Sequence, residues 1–368
     1  MTALPHLYVA LSGHGLGHLA QVGPVIAAWR GRHPQGLLTI QSAIPYAVLC
    51  SRISGAFDWH QAEADFVMVM ADAMTVRIDE SLARYRAFHA GWQEHLAWQT
   101  GLLVIAAPSV VLADVPYLTL AAAADLGVPA VAMCSLNWAD VLAAYVQPAA
   151  ADDVLPQMRL AYSRAAVFLC PAPSMPMPGL ANTHAIGPTA MHGRHMRPEL
   201  NRLLALSGHE TLVLVTLGGL DIDLDALPWP SLPNVVWLMP PGWRGVRPDM
   251  RCRASLGAMA LIDVLCSCDV VLTKPGYGTF TEAACNGVPV LYVERDDWPE
   301  EPFLSDWLHA HARAVRLSKA QFAAGALANA LAQLLAMPTV VPVAPTGAKE
   351  AADWLDRVSG VASMEELI

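Results

Sequence analysis

The chain has 368 residues, which is long for a single hydrophobic core and sufficient for two. Hydrophobic residues make up 55% of it and charged residues 15%, a composition that excludes an intrinsically disordered protein. The formal net charge of −10 argues against a surface that binds nucleic acid.

The cysteines and the first residues bear on the compartment. The seven cysteines include no CxxC pair, which suits a reducing cytosol better than a disulfide framework. The opening segment MTALPHLYVAL lacks the basic residues and the small-residue cleavage site of a signal peptide. Prolines and aspartates interrupt the longest apolar region, 101–134, so it is too short to span a membrane. We therefore expect a soluble, cytoplasmic protein.

Short runs rich in valine, leucine and isoleucine recur along the first half of the chain and predict buried strands. They cover 7–11, 37–41, 66–70, 110–113, 130–134 and 167–170. Segments with helical spacing lie between them, including a long one over 81–99. Because the strands are apolar throughout and alternate with helices, they indicate a parallel sheet covered on both faces.

The first strand leads into a glycine loop with two histidines, LSGHGLGHLAQ. Its glycine spacing does not fit the dinucleotide fingerprint, and no acidic residue ends the next strand. A single histidine is more often structural. Two of them, His14 and His18, in a loop at the carboxyl edge of a sheet favour a role in proton transfer.

A proline-rich segment without apolar periodicity divides the sequence and is typical of a linker. We expect an N-terminal domain over 1–170, a linker over 171–190, a C-terminal domain over 191–340 and a helical segment over 341–368. Strands in the second domain are predicted at 211–217, 235–239, 269–273, 288–293 and 314–317. The expected fold is α/β, with two doubly wound Rossmann-like domains that face each other across a cleft.

The segment KPGYGTFTEA joins a predicted strand to a helix in the second domain. Gly276 and Gly278 allow positive φ and a close backbone approach, and Thr279 is the predicted helix start. The first N–H groups of a helix attract an anion such as a diphosphate, and Lys274 adds a cation. Glu282 fits two interpretations, a capping box with Thr279 or a carboxylate that binds the two ribose hydroxyls.

The acidic segment ERDDWPEE follows the next strand. Proline and acids in a first turn are typical of a helix start. Five acids in eight residues exceed what capping requires, and carboxylates bind sugar hydroxyls well. Both interpretations stay open for Glu300 and Glu301.

These motifs resemble those of the GT-B nucleotide-sugar glycosyltransferases, which include the N-acetylglucosaminyltransferase of bacterial peptidoglycan synthesis. Three stretches are still more similar to the glycosyltransferase-like region of plant arabinokinases. They are GYGTFTEAACNGVPVLYV, RDDWPEEPFL and LADVPYLTLAAAADLGVPAVAMCSLNW. A second phosphate loop rich in glycine and serine is absent, so we expect no kinase domain.

The resemblance implies a donor site in the second domain. The donor diphosphate would lie on Gly276, Gly278 and Thr279 beside Lys274, and Glu282 would bind its ribose. The backbone near Ser255 would contact the base, and Glu300 and Glu301 would contact the sugar. Gly218 and Gly219 stand where the family carries a glycine–serine element.

The resemblance also implies a general base, His18, near the acceptor, with His14 in the same cleft. Asp114 would be its partner or an alternative base, unless it serves as a helix N-cap before Pro116. The triplet Asp221, Asp223 and Asp225 resembles the metal-binding acids of some glycosyltransferases. Such alternation more often forms a solvated turn, and we expect no metal cofactor.

The implied activity is metal-independent transfer of a sugar from a nucleotide diphosphate to an unknown small-molecule or lipid-linked acceptor. The favoured donor nucleotide is UDP. Two alternatives stay open, a nucleotide-sugar hydrolase on the same fold and a non-catalytic protein that binds sugar nucleotides. The high apolar content fits peripheral contact with a membrane, and a large buried sheet accounts for it equally well.

Overall fold

The computed structural model of the chain describes residues 4–13, 15–63, 67–71, 75–217, 224–245 and 247–360. These residues form two compact units. Within the described ranges, unit 1 comprises 4–71, 75–190 and 345–360, and unit 2 comprises 191–344. No helix in these ranges is both long and apolar enough to cross a bilayer.

Unit 1 alternates strands and helices. In chain order they are β1 (His6–Leu11), α1 (Leu16–Arg32), β2 (Leu37–Gln41), α2 (Tyr46–Cys50), β3 (Asp58–His60), α3 (Ile78–Ala90), α4 (Trp92–Ala106), β4 (Val110–Asp114), α5 (Tyr117–Asp125), β5 (Ala130–Met133), α6 (Trp138–Tyr145), α7 (Leu155–Ser163), β6 (Val167–Pro171) and β7 (Thr183–Ile186).

Unit 2 follows, and the chain then returns to unit 1. Its elements are α8 (Arg197–Leu204), β8 (Thr211–Thr216), β9 (Val235–Met239), β10 (Met250–Cys252), α9 (Leu261–Cys266), β11 (Val270–Thr273), α10 (Tyr277–Cys285), β12 (Val290–Val293), α11 (Glu301–His311), β13 (Ala314–Leu317), α12 (Lys319–Ala323) and α13 (Leu327–Ala336). The last helix described, α14 (Gly347–Ser359), belongs to unit 1.

The sheet of unit 1 has the strand order β3-β2-β1-β4-β5-β6-β7, and every pair is parallel. Its central strands are buried along their whole length because helices cover both faces. On one face α1 and α14 pack together against the sheet, with Leu355, Ala351 and Ala352 of α14 fully buried. The order reverses direction at β1 and β4, and such a switch point places the loops after these two strands next to each other.

Polar contacts fix α14 to the end of α1. Asp356 lies 2.7 Å from His33 Nε2 through one carboxylate oxygen and 2.9 Å from Arg32 Nη1 through the other. The His33 side chain is 5% exposed, so this contact is shielded from water. Unit 1 therefore consists of segments from both sides of unit 2 in the sequence.

The sheet of unit 2 has the order β10-β9-β8-β11-β12-β13, again with parallel pairs only. Separate apolar cores lie on its two faces. One core contains Phe280 of α10, which is fully buried, and the other contains Trp237 of β9. The burial of α10 against the sheet fixes the position of the loop that precedes it.

The structure confirms the predicted fold class, and most predicted strands are present within a residue or two. The third strand is a correction, because it lies at Asp58–His60, while Met70 makes only an isolated bridge to Val76. The predicted helix over 81–99 is two helices that meet at Gly91. The proline-rich segment 171–190, expected to be a linker, belongs to unit 1 and contributes β7 to its sheet.

Candidate active site

The carboxyl edge of the unit 1 sheet carries the first group of polar side chains. Strand β1 ends at Leu11, and helix α1 begins at Leu16 after Gly15, whose φ of 73° lies in the left-handed region that favours glycine. His18 lies in the first turn of α1 and is 5% exposed. The neighbouring strand β4 ends at Asp114, which is fully buried. The short turn before α1 thus brings His18 to the end of the adjacent strand.

His18 and Asp114 form a buried pair. The His18 Nδ1 atom lies 3.0 Å from Asp114 Oδ1. Burial raises the pKa of the Asp114 carboxyl, while the neighbouring His18 and hydrogen bonds from His18 and Cys134 oppose this rise. An ionised Asp114 only accepts hydrogen bonds, so it places the proton of neutral His18 on Nδ1 and makes Nε2 the basic nitrogen. The N-cap alternative for Asp114 is wrong, because it ends β4 and the cap of α5 is Pro116.

Cys134 follows β5, the next strand of the sheet, and completes a cluster around His18. Its Sγ lies 3.7 Å from His18 Nδ1 and 3.8 Å from the side-chain nitrogen of Gln21. The backbone N–H of Ser135 donates to Gln21 Oε1 at 3.0 Å, which fixes the orientation of that amide. The Trp138 ring lies beside the imidazole, with 5.9 Å between ring centroids. Packing and hydrogen bonds therefore hold His18 in place from several sides.

In unit 2, the loop between β11 and α10 leads into a helix N-terminus. Helix α10 begins at Tyr277 with Gly276 as its N-cap, so Thr279 lies inside the first turn and the capping box with Glu282 is wrong. Gly276 has a φ of −179°, an extended conformation, so the positive φ that glycine allows is not used at this position. A side chain built at Gly276 would meet no atom within 4 Å. The open space beside the first N–H groups of α10 suits an anion.

Lys274 and Arg295 bring two cations close together at the carboxyl edge of this sheet. Burial lowers the pKa of Lys274 to about 8, with a further contribution from the positive charge of Arg295 and an opposing one from Glu300. Arg295 is 7% exposed, and its guanidinium carbon lies 4.3 Å from the centre of the Trp298 ring. Trp298 donates from Nε1 to Glu300 Oε2 at 3.1 Å. Lys274, Arg295 and Glu300 thus form a partly buried charged group.

The acidic segment after β12 divides into surface and buried residues. Glu294 pairs with Arg316 at 2.7 Å, and Asp296 lies 3.1 Å from Lys319 Nζ, so both are engaged in exposed ion pairs. Glu300 and Glu301 are buried, and Ser305 Oγ donates to Glu301 at 2.7 Å. Glu300 is the N-cap residue of α11 but makes no side-chain capping bond.

The remaining predicted site residues have varied positions. Glu282 is 2% exposed within α10. Ser255 is exposed in a short 3-10 helix, where its hydroxyl donates to the carbonyl of Cys252 at 2.8 Å. His14, Gly218, Gly219, Asp221 and Asp223 lie outside the described residues, and Asp225 is exposed. Among the described residues, the side chains spaced to hold a metal ion together are His18, Asp114 and Cys134.

Sequence reasoning missed Cys134 and Arg295. Cys134 directly follows a buried strand, the same signal that identified Asp114, but a cysteine there looks like a core residue. Arg295 lies within the acidic segment, where the carboxylates dominated the interpretation. The spacing of Arg295 and Trp298, three residues apart, was the available sign of a cation over an aromatic ring.

Comparisons with known proteins concern both the sequence and the fold of this chain. No protein-family description matches the sequence. The chain is 27% identical over 333 residues to the L-arabinokinase of Arabidopsis thaliana, a match that covers 85% of this chain and 30% of that protein. The chain therefore spans about a third of the length of this curated relative.

Solved glycosyltransferases share the fold over nearly the whole chain. The spinosyn rhamnosyltransferase SpnG complexed with thymidine diphosphate is 17% identical, with a TM-score of 0.61 and 97% and 96% of the two chains covered. A UDP-glucosyltransferase from Polygonum tinctorium is 13% identical, with a TM-score of 0.55 and 97% and 94% covered. The calicheamicin glycosyltransferase CalG4 is 15% identical, with a TM-score of 0.56 and 97% and 94% covered. The fold is that of the GT-B glycosyltransferases.

Proposed function

We propose that the chain is a glycosyltransferase that moves a sugar from a nucleoside diphosphate donor to an acceptor hydroxyl. UDP is the favoured donor nucleotide, His18 is the general base, and the reaction uses no metal ion. The observation that carries the proposal is the buried pair of His18 and Asp114, 3.0 Å apart, at the carboxyl edge of a parallel sheet. The glycosyltransferase fold supports the reaction class.

The base step follows from the tautomer that Asp114 favours. With its proton on Nδ1, His18 accepts the acceptor hydroxyl proton at Nε2 as the oxygen attacks the anomeric carbon. The imidazole then becomes a cation, and the carboxylate 3.0 Å away stabilises that charge. Because burial weakens solvent screening, this stabilisation is larger than it would be at the surface.

The leaving diphosphate gains negative charge as the glycosidic bond breaks. In unit 2, the first N–H groups of α10 and the cations Lys274 and Arg295 are the groups that would stabilise it. Helix dipole and cations together supply the electrostatic role that a divalent ion has in metal-dependent transferases. This assignment is the basis for proposing a reaction without a metal cofactor.

The choice of UDP rests on Glu282. A carboxylate accepts hydrogen bonds from two neighbouring hydroxyls, which ribose offers and deoxyribose does not. The solved relatives include one complexed with thymidine diphosphate and one named a UDP-glucosyltransferase, so both bases occur on this fold. We place Glu300 and Glu301 on the donor sugar and the backbone near Ser255 on the base.

The test is an assay for released nucleoside diphosphate. Purified protein is mixed with a panel of UDP- and TDP-sugars, first alone and then with acceptor alcohols, phenols, sugars and a polyprenyl phosphate. We expect acceptor-dependent release that His18→Ala abolishes. The variant Lys349→Met is the control, because that lysine is exposed and belongs to the same unit as His18.

Two other results would contradict the proposal. Equally fast release from the donor without any acceptor, still dependent on His18, would show a nucleotide-sugar hydrolase. Tight donor binding with no turnover, unchanged by His18→Ala, would show a non-catalytic binding protein. The kinase activity named for the Arabidopsis relative is not proposed here, since the match covers 30% of that protein.

A further inference from the structure

The cluster of His18, Asp114 and Cys134 contains one side chain that the proposed reaction does not use. Cys134 is fully buried, yet its sulfur lies against the imidazole instead of packing only among apolar groups. One nitrogen, one carboxylate oxygen and one sulfur lie within 4.8 Å of one another. Thiol, imidazole and carboxylate are the three protein ligands of zinc.

Two separations within the cluster are close to the edges of a metal coordination shell. Two protein ligands on a tetrahedral zinc ion lie about 3.3 to 3.6 Å apart, given bond lengths of about 2.0 Å to nitrogen or oxygen and 2.3 Å to sulfur. The observed separations are 3.0 Å between Nδ1 and Oδ1 and 3.7 Å between Nδ1 and Sγ. The third separation, between sulfur and carboxylate oxygen, is within 4.8 Å, so the three ligands would close around the ion and water would take its fourth position.

A second observation points to a cation at this place. The other oxygen of Asp114, Oδ2, is buried and has no hydrogen-bond partner among the described residues. A buried carboxylate oxygen without a partner is costly, and a cation bound by both oxygens of Asp114 would remove that cost. A divalent ion with one thiolate, one carboxylate and one neutral imidazole is also neutral overall, so its burial requires no further charge.

The side chain of Gln21 directs a hydrogen-bond donor at the sulfur of Cys134. The Ser135 N–H binds Gln21 Oε1, so the Gln21 nitrogen faces Cys134 Sγ at 3.8 Å and Ser135 Oγ at 3.2 Å. Such a donor orients the sulfur from outside the coordination shell and would stabilise a thiolate once it binds a metal ion.

We propose that His18, Asp114 and Cys134 form an inhibitory binding site for a divalent transition-metal ion such as Zn²⁺. When Nδ1 of His18 is a metal ligand, the proton of the neutral imidazole moves to Nε2. That nitrogen then has no lone pair to accept the acceptor proton, and the carboxylate no longer orients the ring. Binding of the ion rests on the three side chains alone, and inhibition rests on the proposed role of His18.

The binding test uses Co²⁺ as a spectroscopic probe on the full chain after treatment with a chelator. We expect one Co²⁺ per chain and a thiolate-to-cobalt absorption band that Zn²⁺ displaces. Cys134→Ser and Cys134→Ala should lose this band, while Cys170→Ser, which alters another buried cysteine of the same sheet, should retain it. No band in the wild-type protein, or a band that persists in both Cys134 variants, would overturn the site.

The inhibition test measures donor turnover against Zn²⁺ concentration, with each variant scaled to its own metal-free rate. We expect half-inhibition of Cys134→Ser to require at least about tenfold more Zn²⁺ than the wild type, since one of three ligands is lost. If the cobalt band forms but Zn²⁺ leaves wild-type turnover unchanged, the inhibitory role is overturned. If His18→Ala has full turnover, it is the proposed base that fails, while the cobalt result stands independently.

Discussion

Replacement of Lys274 by methionine should weaken binding of UDP and remove much of its dependence on pH. The pKa of this lysine is about 8 in the folded protein, compared with 10.5 for an ordinary lysine, chiefly because of burial and the nearby Arg295. A bound diphosphate supplies the missing negative charge and raises the pKa again. The difference between these two pKa values of Lys274 corresponds to about 3 kcal/mol. This is the upper limit on the coupling between binding of the Lys274 proton and binding of the diphosphate.

The direction of the pH effect follows from that coupling. Between a pKa of about 8 without ligand and one near 10.5 with it, the complex binds more protons than the free protein, so affinity falls as pH rises. For a full recovery of the pKa, UDP should bind roughly tenfold more weakly at pH 9 than at pH 7. Without ligand the same shift destabilises the fold below pH 8, and this cost fades as pH rises towards 10.5.

Isothermal titration calorimetry with UDP at pH 7 and pH 9 measures both effects. We expect Lys274→Met to bind about tenfold or more weakly at pH 7, since a hydrogen bond between charged groups contributes about 1.5 to 3 kcal/mol. We also expect the variant to show little change between the two pH values. Lys349→Met, exposed and in unit 1, is the matched control. Equal affinities for wild type and Lys274→Met, or equal pH slopes, would refute this account of the anion site.

Three further predictions concern the other features. Asp114→Asn should lower turnover about a hundredfold or more, because the imidazolium of His18 loses its charged partner. Calorimetry should show an unchanged affinity for UDP. A weaker affinity for UDP with unchanged turnover would contradict a role confined to the base step. Wild-type protein should bind UDP about tenfold more tightly than 2′-deoxyuridine diphosphate, and Glu282→Ala should abolish this preference. If the preference survives the substitution, Glu282 is not the ribose ligand. Asp356→Ala should lower the free energy of unfolding of unit 1, measured by urea denaturation, by about 2 to 3 kcal/mol, because it leaves His33 and Arg32 without this partner. The control Asp353→Ala should cost less than about 1 kcal/mol, since the Asp353 carboxylate is half exposed. Equal losses in the two variants would contradict the contrast in burial.

The strands that sequence reasoning located and those that it missed differ in their place in the sheets. Central strands such as β4 are buried on both faces and have continuous apolar runs, which the sequence displays. The missed strands β3, β7 and β10 all lie at sheet edges and have only three or four residues with polar or exposed members. Such short edge strands depend on a neighbour for pairing, and this information is not local in the sequence.

The candidate site shows the same division. Asp114 and Lys274 could be predicted because each stands at the end of an apolar strand, where parallel topology directs chemistry to one edge. The 3.0 Å contact of Asp114 with His18 joins residues 96 positions apart, so only the folded sheet reveals it. The helix start at Tyr277 was placed two residues late, because the threonine–glutamate spacing suggested a cap that the backbone does not use.

The order in which the chain leaves a ribosome has a consequence for unit 1. Its core is incomplete until α14 has been synthesised, since Leu355 and its neighbours cover apolar side chains of α1 and the sheet. All of unit 2 emerges before that helix does. During translation, the apolar surface of the earlier part of unit 1 therefore stays exposed until α14 has been synthesised. Nascent chains in such a state depend on chaperones.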